Sequence, residues 1–283
     1  MKKQKMLGSV VYHTGTLLFG LIMIYPIVWM IFSSFKESAD VVEDALQLFP
    51  DGTWHVENYA IGWQGVAGGR ATFTDYFSNS LIIAFFSTVG AGLCSCLSAF
   101  AFSVIRFRGR NFWFICMMIT LMLPGQVLLI PQYLIFNQLG MIGTKLPMIL
   151  PYFLGSSFFI FMAIEFISGL PYELYEAAKI DGCSWYRIFW KIVVPLLKPA
   201  FVTITIFSFY WRWDDFFGPL LYTTRENQYT VSIALKLFTD PEGVSKWGPM
   251  FAMATLSLVP VLLIFFTCQK YIVEGISTTG LKG

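Results

Sequence analysis

Long apolar runs separated by short polar stretches dominate the hydrophobic pattern of the chain. Crossing about 30 Å of hydrocarbon takes about 20 helical residues. Six runs are long enough, at approximately Val10–Phe35, Phe77–Ile105, Phe112–Tyr133, Met148–Ser168, Ala200–Tyr222 and Gly248–Tyr271. The pattern therefore predicts an all-α integral membrane fold with six transmembrane helices, which form a single transmembrane domain over residues 1–283.

The composition agrees with a bilayer as solvent, since 56% of the residues are hydrophobic and only 13% are charged. A soluble domain carries about 25% charged residues. The net charge of +2 is too small to indicate a nucleic-acid partner. Cys94 and Cys96 lack a second Cys or His pair at zinc-ligand spacing, so no metal site is predicted.

The distribution of basic residues predicts the orientation of the helices. An even number of spans puts both termini on one side, and the first span is too long to be a cleaved signal segment. With that side inside, twelve Lys and Arg residues fall in inner segments and six in outer ones. Because cytoplasmic loops carry the excess of basic residues, both termini are expected on the cytoplasmic side of the membrane.

A charged segment interrupts the apolar pattern between the fourth and fifth helices, at residues 169–199, which this orientation places in the cytoplasm. Glu173 near a helix N-terminus favours the helix dipole, and Asp181-Gly182 ends that short helix. Ser184 can cap a second helix that runs to Val194. The two short helices are expected to lie against the membrane.

This segment has two interpretations. It either presents a small alanine face, Ala177 and Ala178, outward to a partner, or it only anchors the bundle through interfacial aromatic residues such as Trp185 and Trp190. The helix pattern alone leaves both open.

A second unusual stretch, Trp211–Asp215, lies about 18–24 Å along the fifth helix at 1.5 Å per residue. Charged side chains at this depth are functional candidates by default. Trp faces can stack on sugar rings, while Arg and Asp can bond sugar hydroxyls. On one continuous helix, Trp211, Asp214 and Asp215 share one side and Arg212 borders it, while Trp213 points largely away. The candidate substrate-binding residues are Trp211, Arg212, Asp214 and Asp215.

The same stretch has a structural alternative, which is an Arg212–Asp215 ion pair at i, i+3 spacing or a tryptophan belt at the outer interface. A free Arg can also bind a carboxylate through two hydrogen bonds. The sequence therefore leaves open whether a sugar bound here would be neutral or acidic.

Several motifs resemble those of one known family. Glu176-Ala177-Ala178, then Gly182, then Pro195 resembles the EAA signature of bacterial ABC-importer permeases, with Val194 in place of the usual leucine. The stretches "NSLIIAFFST", "LPGQVLLIPQY" and "WRWDDFFGPLL" look like permeases of carbohydrate importers of the maltose type. With six spans, the chain is similar to the smaller of the two permeases that such systems pair.

The resemblance implies a type I importer fold and a location in the cytoplasmic membrane of a bacterial cell. It also implies that the chain forms half of the translocation path of a sugar importer, with oligosaccharides as the expected substrates. It implies that the coupling residues Glu176, Ala177, Ala178, Asp181 and Gly182 dock in a groove of an ATPase subunit. The implied partners are a second homologous permease, two cytoplasmic ATPase subunits and an extracytoplasmic solute-binding protein. ATP and Mg are expected on the ATPase, because this chain has no G-x-x-x-x-G-K-[ST] loop; the chain itself is expected to be neither an enzyme nor a cofactor binder.

Two other classes of function remain. An ion-coupled secondary sugar carrier could use Asp214 and Asp215 as ion ligands, but would leave the cytoplasmic segment without a role. An intramembrane enzyme would need a nucleophile and base or a metal cluster at membrane depth. The tail Glu274–Gly283 is polar and resembles family tails that reach the ATPase interface, with disorder as the alternative.

Overall fold

The computed structural model describes residues 2–65, 69–239 and 245–280, and these residues contain no β-strand. The predicted all-α class is confirmed. The α-helices are Lys2–Ser33, Asp40–Glu43, Glu57–Trp63, Phe73–Val104, Arg110–Met122, Gly125–Gln138, Leu146–Ile149, Ser157–Ser168, Glu173–Ile180, Trp185–Ile188, Val194–Leu196, Lys198–Trp213, Phe217–Tyr222, Val231–Leu237 and Trp247–Gly280. Two 3₁₀ turns, Leu150–Leu154 and Glu226–Gln228, and one π-helical turn, Phe189–Val193, complete the described elements.

The described residues contain up to six membrane spans if each pair of helices joined by a bend is counted as one span. Four segments are individually long and apolar enough to cross a membrane: Gly8–Ser33, Phe73–Val104, Leu146–Ser168 and Trp247–Lys270. Two further pairs qualify only together, Arg110–Met122 with Gly125–Gln138 and, across a bend of 77°, Trp185–Leu196 with Lys198–Trp213. The first member of the second pair belongs to the segment predicted to be cytoplasmic, so only Lys198–Trp213 overlaps the predicted fifth helix. Among the described residues this gives up to six spans, in agreement with the predicted number.

The third span, which the sequence predicts over Phe112–Tyr133, is broken at Pro124. Its two halves meet at an angle of 107°. Leu123 is extended, with ψ of 126°, and Pro124 follows it with ψ of 129°. A residue before proline is disfavoured in the α conformation, and proline has no N–H for the helix. Pro131 lies inside the second half, Gly125–Gln138, and does not end it.

The ends of the first and last spans also differ from prediction. The first helix begins at Lys2 and ends at Ser33. The last continues to Gly280, nine residues beyond the predicted end at Tyr271. The backbone of the tail is therefore helical to Gly280, and residues 281–283 lie outside the described part, so the role of the tail stays a prediction.

The chain divides into two compact units. The first contains residues 1–73 and 234–258. Its outer loop is the stretch between the first helix and Glu57–Trp63. Lys36 holds this loop: it is only 2% exposed and donates hydrogen bonds to the carbonyls of Asp44 and Gln47. Asn58 donates to the carbonyls of Ser34 and Lys36 at 3.0 and 2.9 Å. These bonds fold the predicted outer segment into ordered structure.

The second unit contains residues 74–233 and 259–283. The helix Phe73–Val104 runs through its core, where small residues admit aromatic side chains: a Cβ on Gly90 would lie 2.7 Å from the Phe153 ring. Asn79 on the same helix donates to two backbone carbonyls of the 227–229 loop, each at 2.9 Å. Because both units contribute to the helix Trp247–Gly280, they are not consecutive domains, and the single domain over 1–283 stays a prediction.

Candidate functional site

The charged segment forms the two short helices that the sequence predicts. The first, Glu173–Ile180, ends before Gly182, which adopts a φ of +75° that glycine tolerates best. Ser184 then caps the second, because its Oγ accepts a hydrogen bond from the Arg187 N–H at 3.3 Å. Both helix boundaries are confirmed.

The second short helix runs further than predicted. The α-helical turn Trp185–Ile188 passes into the π-helical turn Phe189–Val193 and then into Val194–Leu196. The predicted end at Val194 is wrong, because Pro195 lies in the first turn of the last piece, where its missing N–H is tolerated.

Only part of the predicted coupling surface faces outward. Glu176, Ala177, Asp181 and Gly182 are exposed, but Ala178 is 7% exposed and belongs to the hydrophobic core. The expectation that both alanines face outward is wrong for Ala178. Tyr175 and Ala178, three residues apart, share the buried face of this helix.

The segment is attached to the second span through one aromatic residue, Phe100. Its ring centroid lies 6.4 Å from that of Tyr175, 6.3 Å from Trp185 and 5.5 Å from Phe189. The Lys179 ammonium lies 3.8 Å from the centroid of the Trp185 ring, which ties the two short helices together. Burial also raises the pKa of the Tyr175 hydroxyl. A displacement of the segment would therefore reach the helix Phe73–Val104 through Phe100.

The fifth helix stops in the middle of the second candidate stretch. It spans Lys198–Trp213, and a separate helix follows at Phe217–Tyr222. The predicted continuous helix to Tyr222 is wrong. Asp215 lies in the break between the two helices, and its Oδ1 accepts a hydrogen bond from the Gly218 N–H at 3.1 Å.

Arg212 and Asp215 form the ion pair that the structural alternative predicts, with 3.0 Å between Arg212 Nη1 and Asp215 Oδ2. Both side chains also line a cavity of about 380 Å³. The guanidinium carbon of Arg212 lies 4.8 Å from the centroid of the Tyr152 ring. The ion pair and a cavity-lining role therefore coexist.

The other residues of this stretch lie elsewhere. Trp211 stacks on Phe159, with ring centroids 5.4 Å apart and planes at 24°, and is not among the cavity-lining residues. Asp214 is exposed, and Trp213 is buried against Phe209. The expectation that Trp211 and Asp214 share a side with Asp215 assumed a continuous helix, which the structure ends at Trp213. Substrate contact by Trp211, Arg212, Asp214 or Asp215 stays a prediction.

The cavity contains polar residues that the sequence reasoning missed. Gln126 and Gln132 lie on the second half of the broken third span, Tyr152 near the start of the fourth span, and Tyr222 at the end of the helix after Asp215. Two amides inside an apolar span were a usable signal, because polar residues at membrane depth mark pathways. The sequence around Pro124 does not show which side chains the bend brings together, so the cavity itself could not be predicted.

Comparison with known proteins places these features in a wider group. A family model described as "Binding-protein-dependent transport system inner membrane component" matches residues 91–278, which include both candidate sites. The "Probable ABC transporter permease protein YurM" of Bacillus subtilis (strain 168) is 33% identical over 261 residues, 92% of this chain and 84% of the relative. The "Arabinooligosaccharides transport system permease protein AraQ" of the same organism is 29% identical over 278 residues, 96% of this chain and 97% of the relative.

A solved structure gives the same fold. It is described as a bacterial ABC transporter involved in the import of the acidic polysaccharide alginate. The match has a TM-score of 0.79 and covers 95% of this chain and 98% of that one, at 22% sequence identity. At this identity the likeness establishes the architecture.

Proposed function

The chain belongs to the family of binding-protein-dependent transport system inner membrane components, and from that premise we propose that it is the membrane-spanning permease subunit of an ATP-driven sugar importer. The proposed substrates are oligosaccharides, because a relative that covers 96% of this chain is named for arabinooligosaccharide transport. That near full-length similarity is the observation that carries the proposal.

In this proposal the chain forms half of a translocation path and catalyses no reaction itself. Its partners are a second homologous permease, two cytoplasmic ATPase subunits that hold ATP and Mg, and an extracytoplasmic solute-binding protein. The twelve-to-six distribution of basic residues supports cytoplasmic termini. That orientation exposes the coupling residues Glu176, Ala177, Asp181 and Gly182 to the ATPase.

Coupling then follows a physical connection within the second unit. The ATPase would displace the exposed face of Glu173–Ile180, while the buried Tyr175 and Ala178 hold that helix to the core. Phe100 would pass the displacement to the helix Phe73–Val104. Ala178 contributes to this connection by packing inside the chain.

The proposal is tested by purifying the tagged chain from its native membrane and identifying what remains bound. We expect a homologous permease and an ATPase to co-purify. After reconstitution with a solute-binding protein, an arabino-oligosaccharide should stimulate ATP hydrolysis and enter the vesicles. Absence of an ATPase from the purified complex, or transport driven by an ion gradient without ATP, would contradict the proposal.

A further inference from the structure

The cavity beside the fifth span has the size of a small-molecule site. Its volume of about 380 Å³ lies near the lower end of the range of about 300–1,000 Å³ that ligand pockets occupy. Three segments of the second unit contribute its wall: the start of Gly125–Gln138, the start of the fourth span and the region from Arg212 to Tyr222. In the proposed orientation it opens in the outer half of the bundle.

The electrostatic character of the cavity is set by one balanced ion pair. Asp215 uses both carboxylate oxygens, Oδ2 with Arg212 at 3.0 Å and Oδ1 with the Gly218 N–H at 3.1 Å. Arg212 and Asp215 are the two charged residues among those that line the cavity. Their charges cancel, so the cavity offers an anion no net positive charge, and an anion would compete with Asp215 for the guanidinium.

An unpaired hydroxyl points to a ligand that can form hydrogen bonds. Tyr222 is 4% exposed, and its hydroxyl has no hydrogen-bond partner in the structure. The ring is fixed between Phe136, edge-on at 5.6 Å, and Tyr133, nearly parallel at 6.5 Å. Leaving a buried hydroxyl unpaired is unfavourable. The hydroxyl is covered by its neighbours, so a hydroxyl-bearing ligand in the cavity would supply the partner after a small shift of the lining side chains.

The remaining polar lining has the chemistry of carbohydrate recognition. The amides of Gln126 and Gln132 provide both donors and acceptors, as sugar hydroxyls require. Tyr152, Phe217 and Tyr222 add aromatic surface, which packs against the apolar faces of a sugar ring.

We propose that this cavity binds one uncharged, hydroxyl-rich unit of the substrate and selects neutral sugars against anionic ones. The inference rests on the proposed function and deepens it, because the sequence alone leaves neutral and acidic sugars open. The Tyr222 hydroxyl and the two glutamines hold the sugar hydroxyls. Because the Arg212 charge is already paired with Asp215, an anionic sugar finds no free cation in the cavity. Anionic sugars therefore bind less favourably than neutral ones.

The test is ligand binding to the assembled permease–ATPase complex without its solute-binding protein, measured by ligand-observed NMR. The probes are arabinotriose, which is neutral, and an alginate trisaccharide, which is anionic. We expect the wild type to bind arabinotriose at least tenfold more tightly than the alginate probe. Equal affinity, or preference for the anionic probe, would overturn the inference.

Two variants assign the effect to named groups. Tyr222→Phe removes only the hydroxyl and should weaken arabinotriose binding about tenfold, the loss expected for one ligand hydrogen bond. Tyr133→Phe is the matched control, because that tyrosine stacks on Tyr222 but is not a lining residue, and it should bind as the wild type does. Unchanged binding by Tyr222→Phe would refute the assignment.

Asp215→Asn keeps an acceptor for the Gly218 N–H but frees the Arg212 charge. We expect the ratio of alginate to arabinotriose affinity to rise about tenfold, and an unchanged ratio in an assembled variant would contradict the charge argument. If Asp215→Asn does not assemble, Tyr222→Phe and the wild-type ratio decide. Sugar uptake by the reconstituted wild type distinguishes failure of the cavity assignment from failure of the proposed function. If the wild type takes up sugar but Tyr222→Phe has no effect on binding, the cavity assignment alone is overturned. If the wild type takes up neither probe, the proposed sugar function is overturned, and the inference with it.

Discussion

Replacement of Phe100 by alanine should detach the charged segment, residues 169–199, from the second span. The Phe100 ring contacts three rings of that segment, with centroid distances of 5.5, 6.3 and 6.4 Å. An aromatic pair contributes about 0.5–1.5 kcal/mol beyond its buried area, so three pairs amount to about 1.5–4.5 kcal/mol. A loss of about 3 kcal/mol would raise the undocked population of the segment roughly a hundredfold.

Hydrogen exchange of the purified chain in nanodiscs measures this population directly. The amides of residues 173–193 should exchange much faster in Phe100→Ala, while those of the outer loop keep their wild-type rates. Phe86→Ala is a suitable control, because Phe86 lies on the same helix but is half exposed. Rates for residues 173–193 within twofold of wild type, or an equal acceleration along the whole chain, would refute the local anchoring argument.

Three further substitutions test other parts of the structure. Gly182→Leu should lower oligosaccharide-stimulated ATP hydrolysis, whereas the rate of Gly182→Asn should stay near that of the wild type. A Cβ at this position meets nothing within 4 Å, so the effect comes from the backbone at φ +75°. That conformation costs an ordinary residue about 1–2 kcal/mol. Lys36→Met should make the outer loop more sensitive to protease, because it removes charge-assisted hydrogen bonds of about 1.5–3 kcal/mol each; wild-type cleavage rates would contradict this. Asn79→Leu should lower the Tm of the chain, because two bonds of 2.9 Å at about 0.5–1.5 kcal/mol each are lost, and an unchanged Tm would argue against their contribution.

The sequence predicted best those features that local chemistry determines. The number of spans follows from the length of apolar runs, and the boundary at Gly182 follows from a residue that tolerates positive φ. The Ser184 cap is likewise a contact within three residues. Such features need no knowledge of what packs against them.

The parts that failed depend on contacts between distant segments. Ala177 and Ala178 are identical in sequence terms, and only the packing of Tyr175 on Phe100 decides which of them is buried. Trp211 stacks on Phe159 of the fourth span and lies outside the cavity lining, which its own stretch of sequence does not indicate. The cavity joins side chains from three spans, a convergence that no single stretch encodes.

The π-helical turn Phe189–Val193 determines where the charged segment can change in length. A π-helix bonds residues i and i+5, one more than an α-helix, so the turn stores one additional residue. Because five π-helical residues turn the chain about as far as four α-helical ones, deleting one of the five would return the stretch to α geometry while Trp185 keeps its orientation relative to the fifth span. A single-residue deletion in this turn should therefore preserve the Phe100 contact of Trp185, whereas the same deletion in the α-helical piece that follows would rotate Trp185 by about 100°. Over evolutionary time the number of residues should therefore vary at this turn and stay constant in the α-helical pieces beside it.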